Sequence, residues 1–281
     1  MRIHIALVGV NRALSQTSES LLRELTPRLF PRSKTTWSLT LIEPPGNVVN
    51  NPRAEEVGEL ESSIPISMSH IPVLRFDQEK IDQELSRSNH ERIAGEAEWS
   101  SHPESIRNLL RFLHALNSTF EAAVAPSDPD FVVFCRPDLK ILEPLRLDLW
   151  LAAVRLLTLF RQSVAILPSW GRSRGLNDRF AILSGKAAEH YFCRIDEWNE
   201  LFTLRPTANA EKLLDFSLSD ALVLNSIHTA MVRLRIGHVI DPTDKKMLTQ
   251  SQIQRRLGIY LARVKRFGRR LGQAIRERLK P

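Results

Sequence analysis

The sequence predicts an α/β fold with a mostly parallel central sheet and helices on both faces. Three observations carry that expectation. Short apolar runs alternate with amphipathic segments along the chain, the order that builds parallel sheets. The chain opens as strand, Gly-containing turn and helix, the usual start of a nucleotide-binding α/β unit. Residues 131–134, Phe-Val-Val-Phe, are an unbroken apolar run that reads as a buried strand, and Pro137 stops it because it has no backbone N–H to give a ladder.

Taken in order, residues 3–10 form the first strand, and Gly9, Asn11 and Arg12 follow its end. A helix over 18–29 is expected to begin at a Ser or Thr cap. Residues 36–42 read as a second strand, and 44–70, rich in Pro, Asn, Glu and Ser, as one long loop. Helices are expected over 77–87 and 103–123; in the second, Ile106, Leu109, Leu110, Leu113, Leu116 and Phe120 recur at helical spacing. After the central strand come a helix over 144–160, short strands over 164–167 and 180–183, and a helix over 185–199. A further helix over 209–226 and a last strand over 230–240 complete the body.

Length and composition bound the class. A chain of 281 residues, 43% hydrophobic and 25% charged, can bury a full core without staples. Two cysteines, Cys135 and Cys193, are too few for a disulfide framework or a metal knuckle. Residues 1–10 are apolar but short, and no small-residue cleavage site follows, so no leader is expected. No apolar run reaches the ~18 residues that span a bilayer, and Arg155 interrupts the best candidate, 149–159. Together these features point to a cytoplasmic protein.

The formal charge of +7 is uneven. Residues 253–281 hold ten Lys/Arg and one Glu, leaving 29 basic against 31 acidic residues elsewhere. A near-neutral body argues against a nucleic-acid partner. In the tail, Leu257, Tyr260, Leu261, Val264, Phe267, Leu271, Ile275 and Leu279 share one arc of a helical wheel, and most arginines lie outside it. A division into a body over 1–245 and a basic amphipathic helix over 250–281 follows. Such a helix fits an anionic membrane surface, which would make the protein peripheral at the inner face; packing on a domain or partner fits equally.

Charged residues at strand ends are the candidates for chemistry. Arg136 and Asp138 stand where the central strand stops, and ligands collect beyond the carboxyl ends of such strands. A cation and a carboxylate there suit a charged ligand, with or without a metal; a surface salt bridge has the same spacing. Asn177 and Asp178 follow a Gly-rich loop, where an amide and a carboxylate can bind an acceptor hydroxyl, help hold a metal or act as a base; an Asn-Asp turn reads the same. Glu211 falls in the first turn of a helix, which stabilises a carboxylate for structural reasons alone. Arg233 and Arg235 alternate on one strand and so share a face, an arrangement that suits a diphosphate. Several chemistries lack their signatures: zinc-type His spacing, a GxSxG elbow, GxGxxG, a Walker lysine and a specific glycosidase carboxylate pair.

Five segments, VGVNR (8–12), NPRAE (51–55), RPDL (136–139), NDRFA (177–181) and AEKLL (210–214), occur in the order seen in a family of bacterial, algal and viral glycosyltransferases. The resemblance covers roughly residues 3–240 and implies a GT-A-type α/β domain that binds a nucleotide-sugar. By that resemblance Gly9 and Arg12 lie near the nucleotide. Asp138 stands where such enzymes keep the last carboxylate of a DxD, against a Mn²⁺ or Mg²⁺ ion on the diphosphate. Arg136 replaces the first Asp, so a guanidinium in place of the metal is the other option. Asn177 and Asp178 face sugar or acceptor, and Glu211 is a candidate base on the acceptor side. The implied activity is sugar transfer to a glycan or lipid-linked acceptor in surface polysaccharide synthesis. The alternative is a non-catalytic, transferase-like scaffold docked through its basic C-terminal helix.

Overall fold

In the computed structural model, which describes residues 1–30, 33–51, 56–87, 103–170, 175–204 and 210–249, the elements follow in this order: β1 (Arg2–Gly9), α1 (Leu14–Leu25), β2 (Lys34–Glu43), β3 (Val48–Asn51), β4 (Glu56–Glu59), β5 (Val73–Asp77), α2 (Gln78–Arg87), α3 (Pro103–Thr119), β6 (Phe131–Cys135), β7 (Leu139–Ile141), α4 (Leu147–Thr158), β8 (Val164–Pro168), β9 (Phe180–Ser184), α5 (Gly185–Phe192), α6 (Trp198–Leu204), α7 (Ala210–Ser217), β10 (Leu222–Ile227), β11 (Met231–Arg233) and α8 (Pro242–Thr249). Two units divide the chain, Met1–Asp241 and Pro242–Pro281. The fold described below is that of the first. The basic tail, 253–281, lies outside the described residues.

A seven-stranded sheet runs β10-β8-β9-β6-β1-β2-β5. Its pairings are parallel except those of β9, which runs against both β6 and β8. The predicted mostly parallel α/β class is the observed one. Side-chain alternation along each strand feeds two cores. On one face Ile3, Ile5 and Leu7 pack with Leu14 and Leu21 of α1 and Leu151 and Val154 of α4. On the other, Ala6, Val8, Val132 and Phe134 pack with Leu110 and Leu113 of α3 and Tyr191 and Phe192 of α5. Each fully buried Leu of α3 contributes about 2 kcal/mol of transfer free energy, so both faces need their helices.

The connections place the functional groups. From β1 the chain steps outward to β2 and β5, then returns to lay β6 on the other side of β1. The C-terminal ends of β1 and β6 therefore diverge at a topological switch point, where open α/β sheets leave a crevice. Two small antiparallel pairs sit apart from the main sheet: β3 with β4, and β7 with β11. The second sets Arg233 opposite Leu139, one residue past Asp138.

Several expectations are corrected. Helix α1 starts at Leu14 rather than residue 18, because its apolar spacing, Leu14, Leu21 and Leu25, fixes the buried face; Ser18 is buried within it, and Asn11 Oδ1 accepts from the Leu14 N–H at 3.3 Å. The 44–70 loop contains the β3–β4 pair. The predicted helix over 209–226 ends at Ser217, and Leu222–Ile227 is strand β10, held by parallel pairing to β8. The predicted strand over 230–240 ends at Arg233; the chain turns at Gly237, whose φ of 73° a side chain would oppose, and Leu234 pairs back with Ile240.

Candidate functional site

At the switch point β1 ends in Gly9. A Cβ there would lie 3.0 Å from Pro137 Cδ, and its φ is +157°, so glycine is what lets the β1 end pass close under the turn after β6. That turn is tight: the Leu139 N–H donates to Arg136 O (3.2 Å), and the Thr17 hydroxyl of α1 donates to Pro137 O (2.6 Å). Three segments now converge on one place: the β1–α1 turn with Arg12, the β6–β7 turn with Arg136 and Asp138, and the β11 hairpin with Arg233 and Arg235.

Asp138 is the centre of this convergence. Arg136 grips it through two parallel bonds, Nε to Oδ1 at 2.8 Å and Nη2 to Oδ2 at 2.6 Å, and Arg12 Nη1 donates to Oδ2 at 3.3 Å. Glu56, on β4, plays the same part for its neighbours. It accepts from Arg12 Nε (3.0 and 3.1 Å), from Arg235 Nη1 (3.0 Å) and from the Ile236 N–H (3.1 Å). Asp241 accepts from Arg233 Nη2 (2.9 Å) and Arg235 Nε (2.7 Å). The exposures sort by sign. The three carboxylates are 1–3% exposed, and the four guanidiniums 9–20%. Anions lie behind and cations in front.

The charge states agree with that layering. Burial alone would raise the Asp138 pKa, but Arg136 first, then Arg12 and Arg233, hold its carboxyl well below the usual range. Burial works to lower Arg136, and the attraction of Asp138 outweighs it and pushes the guanidinium upward. For Arg12 burial wins over Asp138 and Glu56, and its pKa falls from the ordinary arginine value.

In front of this layer is a cavity of about 490 Å³. Gly9, Arg12, Arg136, Arg233, Arg235 and Asp178 line it on the sheet side. The polar face of α3 closes the other side with Glu104, Asn108, Arg111 and Phe112, and Gln78 of α2 joins them. Arg111 is fixed by Asp82 (2.6 Å from both Nε and Nη2), Glu104 (2.6 Å) and Asn108 (2.8 Å). The Arg136 guanidinium lies 5.9 Å from the Phe112 ring centroid.

The sequence candidates separate here. Gly9, Arg12, Arg136, Arg233, Arg235 and Asp178 share the cavity. Asp138 does not face it: the carboxylate is 1% exposed, and both of its oxygens accept from guanidiniums. A divalent ion at Asp138, the ligand expected from the resemblance, would have to displace both arginines. No group of three or more His, Cys, Asp or Glu among the described residues is placed to hold a metal, and on the sheet side of the cavity four guanidiniums stand beside Asp178. Asn177, expected to face sugar or acceptor, is held within its own turn. It is 1% exposed, its Nδ2 donates to Trp170 O (2.6 Å), and its Oδ1 accepts from the Arg179 N–H (2.9 Å), which makes it a turn-former. Glu211 stands in the first turn of α7, where its carbonyl accepts from the Leu176 N–H (3.2 Å); it is not among the cavity-lining residues. Arg233 and Arg235 do not share one strand face, because the chain turns after β11; they meet instead on Asp241.

Asp178 is carried by a different element. Arg179 O accepts from the Arg136 N–H (3.3 Å), and Asp178 O accepts from the buried Tyr191 hydroxyl of α5 (3.0 Å). The segment entering β9 thus crosses the β6 end and sets Asp178, half-buried, into the cavity wall.

Sequence reasoning missed Glu56, Asp241 and the α3 wall. Asp241 had a readable signal: two arginines, a glycine and an aspartate over 233–241 have hairpin spacing. Glu56 had none, since its partners lie 44 and 179 residues away.

No protein-family model matches the chain, and no curated protein matches it. Partial likenesses exist among solved structures. A galactosyltransferase, LgtC, in complex with donor and acceptor sugar analogues is 13% identical, with 79% of this chain and 73% of that chain covered and a TM-score of 0.41. Mouse xyloside xylosyltransferase 1, in its apo form, is 10% identical over 79% and 84%, also at 0.41. Residues 1–349 of S. aureus TarS are 12% identical over 82% and 59%, at 0.36. Likenesses this partial leave the chemistry to be read from the cavity itself.

Proposed function

We propose that this chain is a nucleotide-sugar-dependent glycosyltransferase whose donor occupies the arginine-lined cavity. One observation carries the reading: a cavity of about 490 Å³ at the sheet's switch point, with four guanidiniums on one side and the Asp178 carboxylate set among them. That volume suits a ligand of nucleotide size. Glycosyl transfer breaks the bond from the anomeric carbon to the phosphate oxygen, and the nucleoside diphosphate leaves with the electron pair. The acceptor oxygen bonds to the anomeric carbon and gives up its proton. Fixed cations stabilise the departing charge. Asp178 takes the acceptor proton as general base. The segments that resemble glycosyltransferases, 8–12, 136–139 and 177–181, contribute to this same cavity.

The acceptor in this reading is a glycan or lipid-linked sugar of surface polysaccharide synthesis, and residues 253–281 bring the protein to an anionic membrane face. Among the described residues no helix is long and apolar enough to cross a membrane. Titration with UDP-, GDP- and CMP-sugars tests the donor. Binding of at least one, with release of its nucleotide on adding acceptor, is the expected result; no binding to any of them ends the reading. Donor binding without transfer by the wild-type chain would favour the non-catalytic scaffold, to which the sealed Asp138 already lends support. Liposome flotation of the full chain against a chain ending at residue 249 tests the membrane step, and equal recovery would remove it.

A further inference from the structure

The arginine cluster has a property that the transfer reading does not require. A diphosphate brings two or more negative charges, which a site must neutralise with a metal ion or with fixed cations. Here the inward-facing layer is cationic, and its anions are spent. Asp138, Glu56 and Asp241 each accept from two guanidiniums, and on the sheet side of the cavity the four arginines stand beside one further carboxylate, Asp178. A divalent ion entering from the cavity meets four guanidiniums around Asp178, while Asp138, Glu56 and Asp241 lie behind them.

The arginines also keep donors in reserve. A guanidinium has five N–H groups. Arg136 gives two of them to Asp138, and Arg12 gives one to Glu56 and one to Asp138, which leaves three on each for a ligand. Their forks are already held by the carboxylates behind, so little side-chain freedom is lost when an anion binds.

Resting on the reading of the cavity as a donor site, we propose that it binds the donor's diphosphate without a divalent metal, through Arg136 and Arg12 with Arg233 and Arg235 beside them. Asp138 is then a positioning residue: it aims Arg136 and touches no substrate.

Inorganic pyrophosphate is the probe, because it carries the diphosphate without a nucleotide or a sugar. Calorimetric titration of the full chain in excess EDTA is expected to give binding that weakens with added NaCl. At matched free pyrophosphate, Mn²⁺ should change the affinity by no more than about twofold. Arg136→Gln should weaken it about 30-fold, the loss of one charge-assisted fork. Because Arg136→Gln strips a buried carboxylate of its main partner, the double variant Arg136→Gln/Asp138→Asn, which removes both charges, is measured beside it and should show the same loss. Arg233→Gln, at a position beside the Arg136 fork, should weaken binding severalfold. Binding only with Mn²⁺ present would overturn the proposal, as would wild-type affinity in both Arg136 variants. The two readings fail separately. Metal-free pyrophosphate binding by a chain that turns over no nucleotide-sugar keeps the cradle and removes the transferase. Sugar transfer that needs Mn²⁺ for donor binding does the reverse.

Discussion

Two aspartates within three residues of the ends of neighbouring strands have opposite fates. Asp138 leaves β6 and is sealed under Arg136 and Arg12, 1% exposed. Asp178 approaches β9 and stands half-buried in the cavity wall. Each has an arginine close by in sequence, and local chemistry does not separate them. The difference lies in what crosses over them. The β11 hairpin and β4 bring two more arginines and two more carboxylates against the β6 end, whereas Asp178 is anchored by its carbonyl on Tyr191 and keeps its side chain at the cavity. A buried, doubly gripped carboxylate fixes cations in place, and one at a cavity wall can exchange a proton.

The largest expected effect breaks this contrast outright. Asp138→Ala takes from Arg136 its carboxylate and leaves Arg12 with Glu56 alone, and should cost about 3–5 kcal/mol of stability by urea denaturation. Asp178→Asn should stay within about 1 kcal/mol of wild type in the same assay and lower sugar transfer about 10²–10⁴-fold, with donor affinity little changed. If Asp178→Asn unfolds the chain or Asp138→Ala is silent, the assignment of roles is reversed.

Acid titration sharpens the same contrast by separating two buried groups on the sheet. The Asp138 carboxyl is held low, so its contribution is complete above the unfolded value near ~3.9 and is lost only as pH falls through the still lower folded one. His4, on β1, is lowered by burial to about 4, between Ser38 Oγ (2.9 Å from Nε2) and Thr36 Oγ1 (3.0 Å from Nδ1). The folded chain prefers its neutral form. That stability is full above pH ~6.5 and is lost as pH falls toward about 4, a change of about 3 kcal/mol. Urea midpoints measured every half unit of pH should fall across this window in the wild type and much less in His4→Gln. A fall confined to below pH 4 would point to the carboxylates instead.

The legible parts of this molecule are those set by neighbours in sequence. The run Phe131–Cys135, the stop at Pro137 and the helical repeat of α3 are local, and they yield the sheet class and the β6 end. Arg136 and Asp138 are two residues apart, so their meeting was visible too. What they face was not. Arg12 and Asp138 are 126 residues apart, and Arg235 and Glu56 are 179. No periodicity carries pairings over such separations. The three-residue strands β7 and β11 are too short to leave an alternation, yet their pairing brings the hairpin arginines to the site. The apolar repeat of α3 accounts for the helix and leaves its polar face unread, and that face is the far wall of the cavity.

The smallest expected effect asks whether the floor of the cavity is set by backbone packing as well as by charge. In Gly9→Ala the new methyl meets Pro137 Cδ at 3.0 Å on a backbone with φ +157°. The cost should be about 1–2 kcal/mol in urea denaturation. Because Pro137 sits between Arg136 and Asp138, the pressure falls on the turn that holds the gripping pair, and pyrophosphate affinity should drop severalfold while Asp178, on its own segment, stays in place. Pairing it with Pro137→Ala removes the contact but not the φ strain. The double variant should therefore recover the lost affinity and only part of the lost stability. Strictly additive losses would mean that the two strand ends do not press on each other, and that the arginine–carboxylate network alone positions the β6 turn.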